Sequence, residues 1–172
     1  PVWLHHVHGV PSPQISLAEI MLTCGYLNKG TLQGLFSGWR GLLSHLKPDL
    51  LVADYAPTAL LAARSLGIRN ASLGIGFFIP PDVAPLPSLR DWEPVQRGRL
   101  ESADAQMLAA INAVLERAGT APLARAAHAF QGDATLLLTW PELDHYNRSA
   151  LPPGQRWWGP SMLGNAAERP AW

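Results

Sequence analysis

Asp54 is the residue best placed for chemistry in this sequence, closing the apolar run Leu50-Leu51-Val52-Ala53. A carboxylate at the end of a buried strand can orient a histidine and stabilise its protonated form, as general-base catalysis requires. The same carboxylate can instead cap the next helix by accepting from its first backbone N–H groups. The two roles are compatible. Tyr55 follows at the same strand end.

Gly74-Ile75-Gly76-Phe77-Phe78 follows a second strand-like run. Its glycines invite a phosphate-loop reading, but neither G-x-G-x-x-G nor G-x-x-x-x-G-K-[ST] occurs in the chain. A tight turn is the better reading, because glycine accepts positive φ. Phe77 and Phe78 either line an apolar acceptor pocket or pack the loop. His5, His6 and His8 lie close in sequence, with no acidic cluster beside them and no helical metal-ligand spacing. A loop without metal is expected there. Asp144-His145 is a candidate pair, but neighbouring residues rarely orient each other, so a surface or hinge role is expected. Trp39, Trp92, Trp140, Trp157 and Trp158 can stack on sugar rings or pack in a core.

The elements that must position these residues can be read from periodicity. Residues 1–14 read as an extended leading loop, and a helix is expected over 15–27 with Leu17, Ile20, Met21 and Cys24 on one face. A second helix carries Leu32, Leu35, Phe36, Trp39, Leu42, Leu43 and Leu46 at helical spacing. Gly34, Gly38 and Gly41 on its other face each disfavour helix by about 1 kcal/mol relative to Ala. The strand expected over 50–54 carries a continuous apolar run, as in a parallel strand buried on both faces. Pro57 suits a first helical turn, and Gly67 suits a left-handed stop. A strand over 70–73 completes a βαβ unit at residues 49–74. A Pro-rich loop is expected from 76 to 99, then helices over 101–117 and 122–130, stopped by Gly119 and Gly132. Strands follow over 134–139 and near 156–158. The fold class is α/β, a Rossmann-like parallel sheet flanked by helices.

Composition narrows the function classes. The 172 residues suit about one domain. Thirteen basic residues balance thirteen acidic ones, so no nucleic-acid partner is expected. No apolar run approaches the roughly 20 residues of a membrane span. One thiol, Cys24, forms neither an internal disulfide nor a cysteine-based zinc site, and fits a cytoplasmic setting. The chain opens at Pro1 without Met, so a fragment or a processed product is expected.

The run from Lys47-Pro48-Asp49-Leu50 through Asp54-Tyr55-Ala56-Pro57-Thr58-Ala59, followed by Ala63-Arg64-Ser65-Leu66-Gly67-Ile68, resembles the glycosyltransferases related to UDP-glucuronosyltransferases. The likeness continues through residues 74–81 and 138–146 and covers roughly residues 1–160. It implies part of the N-terminal domain of a GT-B fold, in which two Rossmann-like domains face each other across a cleft. Residues 1–160 would form the partial acceptor-binding domain, and 161–172 the start of the interdomain linker. The N-terminal domain of such enzymes holds the acceptor. Their C-terminal domain holds the nucleotide-sugar donor, expected here as a UDP-sugar.

In that family a histidine near the start of the acceptor domain takes the proton of the acceptor hydroxyl, and an aspartate orients it. Asp54 matches that aspartate. Tyr55, Gly74, Gly76, Phe77 and Phe78 carry over as acceptor-side surface. The first strands, the loop with the base, and the donor domain have no match in the chain. None of His5, His6 and His8 falls at the position of the base. No cofactor is expected within the chain itself. The expected partners are a small-molecule acceptor and a separate donor-binding domain, with self-association possible through exposed sheet edges.

The leading expectation is the acceptor side of an inverting transferase, inactive as the isolated chain. A non-catalytic binding domain with the same half-fold is the alternative. A nucleotide-dependent oxidoreductase is disfavoured by the absent glycine fingerprint.

Overall fold

The computed structural model describes residues 7–153 and 155–160. Three strands, β1 (Leu50–Asp54), β2 (Arg69–Gly74) and β3 (Ala134–Leu137), form one parallel sheet in the order β1-β2-β3. Val52 is in register with Ala71, and Ala71 with Ala134. Helix α3 (Pro57–Ser65) joins β1 to β2, and α4 (Arg97–Arg117) lies between β2 and β3. Two more helices, α1 (Leu17–Met21) and α2 (Lys29–Leu46), precede the sheet. The chain is thus an α/β protein with a Rossmann-like parallel sheet flanked by helices. No helix among the described residues is long and apolar enough to cross a membrane.

The βαβ unit forms for the reasons its residues suggest. Pro57 opens α3, where its missing N–H leaves no bond unmade. Gly67 takes φ +66°, and the N–H of Ile68 returns to the carbonyl of Ala63 at 3.0 Å, closing the helix. Gly119 ends α4 in the same way at φ +67°. Gly132 has another task. A Cβ there would lie 2.8 Å from Ala71 Cα and from Ser72 N, so its smallness lets the chain pass against β2 before entering β3.

The core lies between the helices and one face of the sheet. Leu32, Phe36, Leu61, Met107, Ile111 and Leu115 are fully buried in it. A part-buried ion pair ties its layers. Arg99 of α4 donates to both carboxylate oxygens of Glu19 at 2.6 and 2.8 Å. Glu19 also accepts from Ile15 N, and Ser16 caps α1 by accepting from Glu19 N. This reciprocal cap is written in the sequence as Ser16-Leu17-Ala18-Glu19.

Several expectations are corrected. The helix over 15–27 divides into α1 and a π-helical turn, Leu22–Tyr26. Gly25 at φ +101° breaks it, and Cys24 is exposed rather than on the core face. The strand over 50–54 is not buried on both faces: β1 is an edge strand among the described residues, with Leu50 51% and Val52 50% exposed. The stripe on α2 divides too. Leu32, Phe36 and Leu43 are buried, whereas Leu35, Trp39, Leu42 and Leu46 face outward. The helix over 122–130 shortens to a 3-10 turn, Ala126–Phe130, and α4 begins four residues before its expected start at 101. In the loop after Gly74, Gly76–Phe78 forms a 3-10 turn. Near 156–158 there is one isolated bridge, Leu137 with Trp157, rather than a strand. His5, His6 and the linker 161–172 lie outside the described residues, and His8 is exposed.

Candidate functional site

The C-terminal ends of β1 and β2 converge on one corner of the molecule, the usual place for ligands in an open parallel sheet. Asp54 ends β1 there and is exposed. It does not cap α3: the N-cap position is Ala56, and no side chain bonds to that helix start. Among the described residues no cation pairs with its carboxylate. The cap reading is therefore overturned, and the carboxylate is free to meet another group.

Tyr55 holds φ +45°, a left-handed backbone that residues with a Cβ seldom adopt. Such strain persists only when the surroundings fix it, and it concentrates at functional sites. Here the fixing comes from aromatic stacking. The Tyr55 ring lies 4.2 Å from that of Phe78 and 6.5 Å from that of Phe130, stacked on both. Its hydroxyl reaches Met21 Sδ at 3.8 Å.

Beside this turn opens a cleft of about 310 Å³, lined chiefly by Met21, Cys24, Tyr26, Trp39, Tyr55 and Thr58. Its wall is mostly apolar with a polar floor, the Tyr26 hydroxyl lying 2.7 Å from Thr58 Oγ1. Burial raises the pKa of both phenols, Tyr26 strongly, although the Thr58 hydrogen bond opposes the shift at Tyr26. Both stay protonated at neutral pH, so neither serves there as a base. The cleft can hold an apolar molecule and offer it hydrogen bonds.

Of the residues singled out in the sequence, Asp54, Tyr55, Gly74 and Phe78 come together. A Cβ on Gly74 would lie 3.5 Å from Asp54 Oδ1 and 3.5 Å from Phe78 Cβ, ordinary contact distances. Gly76 lies apart from the cleft, buried under the next loop. A Cβ there would stand 2.8 Å from Asp144 Oδ1 and 2.9 Å from His145 N. Gly76→Ala is therefore expected to lose about 1–3 kcal/mol by overpacking, and Gly74→Ala far less. Urea unfolding of the two variants checks the contrast. Phe77 makes edge contacts with Phe78 and His145 at 5.2 and 5.0 Å, so it bridges the second and third strand-end loops.

The third loop is held by a cluster whose centre, Asp144, was expected at the surface and is buried. Asp144 is fully buried, and Arg148 grips it with two bonds of 2.7 and 2.8 Å. Trp157 Nε1 and Tyr146 N donate to the same carboxylate. Burial pushes the Asp144 carboxyl up, but the bonds from Arg148, Trp157 and Tyr146 outweigh it and hold the pKa below its ordinary value. Arg148 also donates to the Ile79 carbonyl at 2.9 Å, tying this loop to the one after β2. The only sequence signal was an acidic and a basic residue four apart, which means little outside a helix. Met21, Tyr26 and Thr58 of the cleft were missed. They look like ordinary helix and turn residues until α1, the π-helical turn and α3 are brought together.

Among the described residues no three His, Cys, Asp or Glu side chains converge as metal ligands. Compared with known proteins, the chain matches no family model and no curated protein.

Proposed function

We propose that this chain is the acceptor-side portion of an inverting glycosyltransferase that moves a sugar from a nucleotide donor to a hydroxyl of a small, lipophilic acceptor. The observation that carries the reading is a free carboxylate, Asp54, at the end of a parallel strand near an apolar cleft of about 310 Å³. In this scheme the cleft holds the apolar body of the acceptor. Asp54 orients a histidine base, which takes the hydroxyl proton as the oxygen attacks the anomeric carbon. The nucleotide leaves from the opposite side, so the anomeric configuration inverts. The base and the donor-binding domain are supplied from outside the described residues. Gly74 and Phe78 belong to the acceptor side through their place around Asp54, and Gly76 and Phe77 support them.

The test is ligand binding, because the isolated chain is expected to turn over no UDP-sugar. A panel of lipophilic phenols is titrated against the chain, with the heat of binding in titration calorimetry as the readout. Saturable binding that weakens at least tenfold in Trp39→Ala is expected. No saturable binding, or equal binding by the variant, would overturn the reading. So would turnover of a UDP-sugar by the chain alone.

A further inference from the structure

We infer that the open edge of β1, together with the outward face of α2, is a docking surface for a second copy of this chain. The inference does not depend on the transferase reading and concerns the 172-residue chain by itself.

The first observation is a mismatch within β1. Leu50-Leu51-Val52-Ala53 has the composition of an interior strand, yet β1 pairs only with β2 among the described residues. Edge strands are ordinarily blunted by lysine, proline or a bulge. The strand itself carries no such device, and half of its backbone N–H and C=O groups point away from β2.

The second observation is an apolar stripe on the outward face of α2, whose two ends lie near the two ends of β1. Leu46 lies four residues before Leu50, at the start of the strand. At the other end Trp39 shares its cleft with Tyr55 and Ala56, just past the strand. Leu35, Trp39, Leu42 and Leu46 are between 36% and 62% exposed. Arg40, the one residue between Leu35 and Leu42 with a permanent charge, is turned over the Phe36 ring at 5.7 Å. The stripe is thus uncharged and does not repel its own copy. Gly34, Gly38 and Gly41 beside it have nothing within 4 Å of a built Cβ, so the chain's own packing does not require them. Gly34 and Gly38 line a groove of about 310 Å³ with Leu35, Trp39 and Leu42, open to side chains from outside.

Size selects the occupant. These four side chains with the unpaired backbone edge of β1 leave on the order of 500 Å² per copy, so a two-fold pairing covers about 1,000 Å², the threshold for a specific interface. Two-fold symmetry makes β1 and its mate antiparallel, with Val52 opposite Val52 of the second copy. The product is a continuous six-stranded sheet with the two α2 helices side by side. The two β1 edges then cover each other, and because the contact is isologous it closes at two.

Light scattering coupled to gel filtration of the intact chain tests this. A dimer is expected at micromolar concentration. Val52→Lys and, independently, Leu42→Lys should each raise the dissociation constant at least tenfold with far-UV circular dichroism unchanged. Leu42 is an exposed helix residue, so its variant remains informative if the strand variant does not fold. A monomer at all concentrations would overturn the inference, as would open-ended aggregation. Binding to lipid vesicles by a chain that stays monomeric would assign the surface to a membrane instead, and would overturn it too.

Discussion

Arg148→Met is expected to destabilise the chain by about 3–5 kcal/mol, because it leaves the Asp144 carboxylate buried without its partner. Asp144 is fully buried and Arg148 nearly so, which removes the solvent screening that makes surface pairs weak. The loss has a characteristic pH dependence. The folded-state pKa of Asp144 lies below its unfolded value, so its contribution is present above the unfolded pKa and disappears as pH falls through the folded one. In the variant the guanidinium is absent and burial dominates, so the carboxyl titrates high and protonation relieves the penalty. The stability gap between the two proteins should therefore shrink as pH falls from 7 toward about 4, the ordinary carboxyl range. Urea denaturation at several pH values measures it. A gap that stays constant with pH would show that the variant loses packing rather than charge pairing.

Asp54→Asn should act in the opposite manner, on rate and not on stability. In a polypeptide that joins this chain both to the segment carrying the base and to a donor-binding domain, kcat is expected to fall about 10²–10⁴-fold, the range for a positioned acid–base group. The melting temperature should not move, because Asp54 is exposed and neither caps α3 nor pairs with a cation among the described residues. KM for the acceptor should change little, since the cleft is lined by other residues. An unchanged kcat would remove Asp54 from the mechanism. A lowered melting temperature would make it a structural residue after all.

The sequence was most legible where local chemistry decides the backbone. Pro57 and Gly67 mark both ends of α3, and the strands on either side follow from their apolar runs. It was least legible where distant groups compete for the same backbone atoms. Residues 122–130 are rich in alanine and read as a helix. The Asn112 side chain, however, accepts from Leu123 N at 2.8 Å and donates to Leu123 O at 3.0 Å. Both backbone groups of Leu123 are thereby taken, and helical geometry begins only at Ala126. The strand β1 failed for another reason. An apolar run reports that burial is favourable, but whether a neighbour covers it depends on topology, and β1 lies at an edge. The site divides along the same line. Asp54, Tyr55 and the loop after β2 could be found from strand ends. The cleft wall contributed by α1, the π-helical turn and α2 could not, because those elements are remote in sequence.

The left-handed turn at Tyr55 bears on how quickly and how selectively the cleft binds. A side chain fixed by its own backbone and stacked on Phe78 and Phe130 has little rotamer freedom left to lose. Ordering a free side chain on association costs about 0.5–1.5 kcal/mol, and this one is ordered before any ligand arrives. That wall of the cleft therefore behaves as a rigid template. Ligands should be sorted by shape at first encounter, with association rates nearly constant across a series and the differences appearing in how long each one stays.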